Sequence, residues 1–114
     1  MITEEDAITI LNEYLKKDNL KKHSLAVAEI MKAIAKEIKE DEHEYYLTGL
    51  LHDIDFEIAE INEHGIKSVE ILQEKLNEKM IHAIQAHNFE YTNITPEDKI
   101  DFALIASDMI SGLI

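Results

Sequence analysis

Apolar side chains recur along almost the whole chain at the spacing of three and four residues that marks one face of a helix, and no stretch of strict alternation is long enough to predict a strand. The pattern predicts an all-α bundle of about five to six helices, with no internal repeat and no low-complexity tract. Thr3 stands three residues ahead of Asp6, a spacing at which side-chain oxygens cover free amide groups, so a first helix is predicted from there to about Lys17, with a break at Asp18-Asn19. A second covers roughly Leu20 to Lys39. Advancing about 100° per residue places Leu20, Val27, Ile30, Met31, Ile34 and Ile38 in one arc and Lys21, Lys22, Glu29, Lys32 and Lys36 opposite. A third runs from about Asp41 through Tyr45, Leu47, Leu50 and Leu51 to His52-Asp53, followed over Asp55 to Glu63 by a short turn of helix or a loop.

Asn62 or Glu63 can start a fourth helix, with Val69, Leu72 and Leu76 as its stripe and His64 in its first turn. A fifth is predicted from about Asn77 to His87 or Asn88. Thr95 before Pro96 marks the start of the last, because proline at the first helical position has no N–H to leave unpaired. From Ile100 onward that helix is apolar on nearly all sides, which predicts a central place in the bundle. It is still apolar at Leu113 and Ile114, so these are expected either to pack against another subunit, as in a homodimer, or to precede a missing further element.

Composition narrows the class. The chain has 114 residues, the size of one domain, and only three Gly and one Pro, too few for a disordered or linker-rich protein. Eleven Lys and no Arg stand against 24 acidic residues, a formal charge of −13, which disfavours duplex nucleic acid as a partner. Cysteine is absent, excluding disulfides, thiolate nucleophiles and Cys-based zinc sites. The start of the chain lacks the basic and long apolar regions of a signal peptide, and no apolar run is long enough for a membrane span, so the expectation is a cytoplasmic protein without membrane contact.

Several polar residues fall where apolar ones are expected. Asp108 lies in the apolar last helix and needs either a cation or donors such as Ser107 or Ser111, since an unpartnered buried charge is costly. His23 falls inside the apolar arc of the second helix, where a lone imidazole is more often a satisfied core residue than a ligand. His52-Asp53 sits between Leu51 and Ile54. His82 and His87 lie about 140° apart around the fifth helix, His87 in the arc of Met80, Ile81, Ala83 and Ile84 and His82 opposite, facing solvent. His43, between Glu42 and Glu44, reads as surface. The inward set is therefore His23, His52, Asp53, His64, His87 and Asp108, drawn from five segments. Four imidazoles and two carboxylates suit one or two divalent transition metals, iron, manganese, nickel or zinc, with magnesium also admissible.

The ordered set, from Lys22-His23-Ser24 through Leu51-His52-Asp53-Ile54, His64-Gly65 and Ala86-His87-Asn88 to Ser107-Asp108, resembles the HD-domain superfamily of metal-dependent phosphohydrolases in its six-ligand variant. The resemblance covers nearly all of the chain and implies a single HD domain over residues 1–114. It implies that His23, His52, Asp53 and Asp108 hold a first metal and that Asp53 bridges to a second held by His64 and His87. A water between two cations then becomes a hydroxide that attacks phosphorus. The implied reaction is hydrolysis of a phosphate ester or anhydride in a small nucleotide-like substrate. Asp53 is the central catalytic residue, and Lys67, one turn beyond His64, is the positive group expected near the ions. Two departures stand out. Ile54-Asp55-Phe56-Glu57 offers neither the Gly nor the Lys that some members carry there, and only six residues follow Asp108. The same ligands also serve di-iron oxygenases of this scaffold, and a regulatory HD-like domain without turnover is a further alternative.

Overall fold

The computed structural model describes residues 2–112, in which seven α-helices and one 3-10 turn occur and no strand does. The expectations about Leu113 and Ile114 lie outside the described residues. Helix α1 (Glu4–Tyr14) starts as predicted: Thr3 Oγ accepts from the Asp6 amide, and the Asp6 carboxylate accepts from the Thr3 amide. Helix α2 (Asp18–Ile38) ends at Lys39, which takes the left-handed conformation. The α1–α2 link is held by Glu57, whose carboxylate accepts from the Lys16 and Lys17 amides.

Helix α3 (Glu42–Leu51) is the centre of the bundle, with every residue from Tyr45 to Leu51 buried. It packs most closely on α2 at Gly49, where an added Cβ would lie 3.0 Å from Ala28 Cα, Met31 Cγ and the Val27 carbonyl oxygen. A methyl group there would force these neighbours to give by a few tenths of an ångström. Val27, Met31, Leu50, Ile54, Leu72, Met80, Ile84 and Leu104 complete a continuous core around α3.

The predicted fourth helix is broken in two. A 3-10 turn (Ile61–Glu63) and helix α4 (Ile66–Leu72) are separated by His64 and by Gly65, whose φ of +90° no helix accommodates. The break is stabilised from outside, because the buried carboxylate of Asp55 accepts from the Gly65 and Ser68 amides, and Leu76 lies beyond the helix end. Helix α5 (Glu78–Ala86) is capped by Asn77, and a single turn, α6 (Phe89–Thr92), follows it.

Helix α7 (Lys99–Gly112) corrects the sequence reading twice. It begins three residues after Pro96, because Asp101 reaches back to accept from the Glu97 and Asp98 amides and so fixes the first turn there. Nor is it central: it lies against α2 and α5 through Ile100, Ala103 and Leu104, while Phe102, Met109 and Ile110 stay exposed.

Candidate metal centre

Six side chains meet where α2, α3, α5 and α7 converge with the segment before α4. His52 and His87 each stand one residue past the end of a helix, α3 and α5, and each donates its Nδ1–H to the carbonyl three residues back, Gly49 and Ile84, at 2.6 Å. A carbonyl can only accept, so these bonds place the proton on Nδ1 and leave the Nε2 lone pair for the centre. His64 is held the same way by Asp55, whose Oδ1 lies 2.6 Å from its Nδ1. His23, on α2, has its Nδ1 3.0 Å from the Ser111 hydroxyl.

All four Nε2 atoms face two carboxylates. Asp108 Oδ1 lies 2.8 Å from His23 Nε2 and 3.2 Å from His52 Nε2. Asp53 divides its oxygens: Oδ2 is 3.2 Å from His52 Nε2 and 3.6 Å from His23 Nε2, whereas Oδ1 is 2.8 Å from His64 Nε2 and 3.7 Å from His87 Nε2. The donors therefore fall into two groups, His23, His52, Asp53 and Asp108, and Asp53, His64 and His87, with the donor atoms of each group within 4.8 Å of one another. Asp53 belongs to both. Imidazole nitrogens mixed with carboxylate oxygens form a donor set that fits divalent iron, manganese or zinc, and each group could hold one such ion.

The electrostatics follow from these contacts. Burial works against a charged His52, but Asp53 and Asp108 outweigh it and push its pKa up to about 10. His64 is likewise raised, against burial, to about 9 by Asp53 and Asp55. Burial also opposes the charge of Asp53, yet His52, followed by His64 and His87, holds its carboxyl well below the usual range. Asp55 and Asp108 are lowered despite burial, Asp55 by His64 and the Gly65 and Ser68 amides, Asp108 by His52 and His23 against repulsion from Asp53. Protons and cations thus compete for the same nitrogen lone pairs.

All six residues of the inward set come together, and their supports were the part the sequence reading missed. Asp55, fully buried, counted there only as a departure from a pattern, although an acid between Ile54 and Phe56 carries the same signal that singled out Asp108. Ser111 supports His23 and does not cap Asp108. Lys67 pairs with Glu63 at 3.8 Å, its only ion pair among the described residues, whereas Lys22 shares a cavity with His23 and Ser111. Two surface assignments are corrected. His82 is partly buried with Nδ1 2.8 Å from Oδ2 of the fully buried Asp101, and His43 donates to the Ile2 carbonyl at 3.0 Å. Both are placed by contacts from α7 and from the segment before α1, which the period of their own helices does not encode.

No described helix is long and apolar enough to cross a membrane. No solved structure matches the chain significantly. Ribonuclease Y of Lawsonia intracellularis (strain PHE/MN1-00) is 36% identical to it over 100 residues, which cover 82% of this chain and 18% of that protein. The chain thus spans under a fifth of the length of this curated relative. The family model described as HD domain matches residues 20–105, a span that includes His23, His52, Asp53, His64 and His87 and ends three residues before Asp108. With most of its length matched and the pattern carried on an all-helical frame, the chain belongs to the HD domain family, within the superfamily of metal-dependent phosphohydrolases.

Proposed function

We propose that this protein is a metal-dependent phosphohydrolase that cleaves a phosphate ester or anhydride of a small nucleotide-like substrate. The observation that carries the reading is the division of Asp53, with one oxygen toward His23 and His52 and the other toward His64 and His87. In this reading His23, His52, Asp53 and Asp108 hold one divalent ion, and Asp53, His64 and His87 hold a second. When bound, such a pair acidifies a water and offsets the charge that develops on the phosphoryl oxygens. The chain's own part is to aim four imidazoles by their Nδ1 bonds and to keep two carboxylates ionised against burial. Lys22, beside His23, is better placed than Lys67 to meet an anionic group of the substrate.

The test is metal analysis of anaerobically purified protein, followed by a phosphomonoester and nucleotide panel with Mn²⁺ or Fe²⁺. Phosphate release, absent in Asp53→Ala together with the bound metal, is the expected result. A metal-loaded protein that cleaves no member of the panel, or one that consumes O₂ in place of releasing phosphate, refutes the proposal.

A further inference from the structure

The centre is bordered on its His64 side by a pocket of about 340 Å³ lined by Phe56, Ala59, His64, Asn88 and Tyr91. A volume of this order suits part of a small ligand. His64 belongs to both places: its Nε2 is 2.8 Å from Asp53 Oδ1, and its ring meets Phe56 edge to face with centroids 5.7 Å apart. Phe56 and Tyr91 keep 54% and 38% of their surface exposed. A single exposed aromatic needs no explanation, but two that border one pocket beside a centre suited to phosphate chemistry offer faces for a flat ring. Asn88, another polar residue of the lining, is fixed by an Nδ2 bond to the His64 carbonyl at 2.6 Å.

Charge selects among occupants. Among the described residues no lysine lines the pocket, and in a chain of charge −13 a second phosphate there would be repelled. No carboxylate among the described residues lines it either, which disfavours a cationic group that would otherwise suit aromatic walls. A sugar would want several free polar partners, and of the lining's three polar groups, the Asn88 amide, the His64 imidazole and the Tyr91 hydroxyl, the first two are already engaged, with the His64 carbonyl and with Asp53 and Asp55. We infer that this pocket takes the uncharged planar base of a nucleoside whose phosphate reaches the six-residue centre, with Phe56 and Tyr91 as the specificity-determining residues. The inference rests on the hydrolase reading above.

The test compares kcat/KM on Mn²⁺-loaded protein for the four common ribonucleoside 5′-monophosphates, ribose 5-phosphate, n-hexyl phosphate and phosphocholine. At least one nucleotide should be preferred over ribose 5-phosphate by about tenfold to hundredfold, the range expected from base stacking. In Phe56→Leu and Tyr91→Leu that preference should fall toward unity, and Phe56→Tyr should retain it. The ratio cancels any loss caused by disturbing His64, since both substrates use one centre. Equal or better turnover of ribose 5-phosphate, hexyl phosphate or phosphocholine overturns the inference while leaving hydrolysis intact. Where no phosphoester is turned over, the hydrolase reading fails and ligand-detected NMR with the four parent nucleosides decides the pocket. Binding that depends on Phe56 and Tyr91 sustains a base site, and binding of none overturns it.

Discussion

Replacing Asp55 by Asn separates the fold from the metal centre. Three N–H groups converge on this fully buried carboxylate: His64 Nδ1 at 2.6 Å on Oδ1, and the Gly65 and Ser68 amides at 2.7 and 3.0 Å on Oδ2. Asparagine keeps the shape but turns one acceptor into a donor. If its NH₂ faced the two backbone amides, two buried donors would be orphaned at about 1–3 kcal/mol each. The cheaper arrangement keeps the carbonyl oxygen on the amides and turns the NH₂ toward His64. The imidazole then gives up its Nδ1 proton and carries it on Nε2, the atom 2.8 Å from Asp53 Oδ1. That nitrogen has no lone pair left for a cation.

Affinity at the group formed by Asp53, His64 and His87 should therefore fall about tenfold to hundredfold, the usual cost of losing the group that orients a ligand imidazole. The group containing His23 and Asp108 should change far less. Melting temperature should also change little, because both backbone bonds survive. Asp55→Ala, by contrast, orphans both amides, and a loss of about 3 kcal/mol lowers the melting point by roughly 10 °C in a domain of this size. Calorimetric Mn²⁺ titration and thermal unfolding of the two variants read these effects independently. An Asp55→Asn protein that binds the second ion as the parent does refutes the tautomer argument, and one that loses both ions equally refutes the division of the site.

The remaining expectations concern stability, pH and charge. His82→Ala removes the imidazole beside buried Asp101 and should cost about 1–2 kcal/mol, discounted for the partial exposure of His82, with metal content unchanged; an unaltered melting point would return His82 to the surface. Gly49→Ala sets a Cβ 3.0 Å from the Ala28 and Val27 backbone, so a loss of about 1–3 kcal/mol is expected along with weakened metal retention, because the Gly49 carbonyl anchors His52. His52 and His64 hold protons up to about 10 and 9, and a cation must displace them. Apparent Mn²⁺ affinity should therefore rise from pH 6 toward pH 9, and affinity flat over that range would contradict the raised values. Because a chain of charge −13 repels anions, raising ionic strength should increase kcat/KM for a phosphate substrate, and a decrease would mean that local cations dominate recognition.

The helices legible in the sequence are those fixed by local contacts. Thr3 and Asn77 cap their helices through neighbours three residues away, and the apolar arcs of α2 and α5 correctly turned His23 and His87 inward. The errors share a different cause. The split of the fourth helix at His64, the late start of α7 and the burial of His82 each depend on a buried carboxylate, Asp55 or Asp101, that accepts from backbone amides or lies against an imidazole. A periodic pattern records which face of a helix is apolar; it holds no information about a carboxylate that arrives from another segment. The breadth of apolar residues in α7 misled for a related reason, since Phe102, Met109 and Ile110 lie on a face that nothing among the described residues covers.

The candidate ligands were visible because they are polar residues in apolar settings, while two of the groups that aim them are backbone carbonyls and leave no trace in composition. One regularity makes even these readable. His52 and His87 each occupy the first position after a helix and bond the carbonyl three residues back. The last four carbonyls of a helix lack partners within it, so an imidazole at that position satisfies one of them and fixes its own tautomer in the same bond. It also brings the partial negative end of the helix toward the centre, from α3 and from α5, where it favours cations. A histidine just past the end of an apolar helix is therefore a readable indicator of a metal centre, alongside one such as His23 that enters the same centre from within α2. His82, inside α5, pairs with a structural carboxylate, and His87, one residue beyond it, faces Asp53.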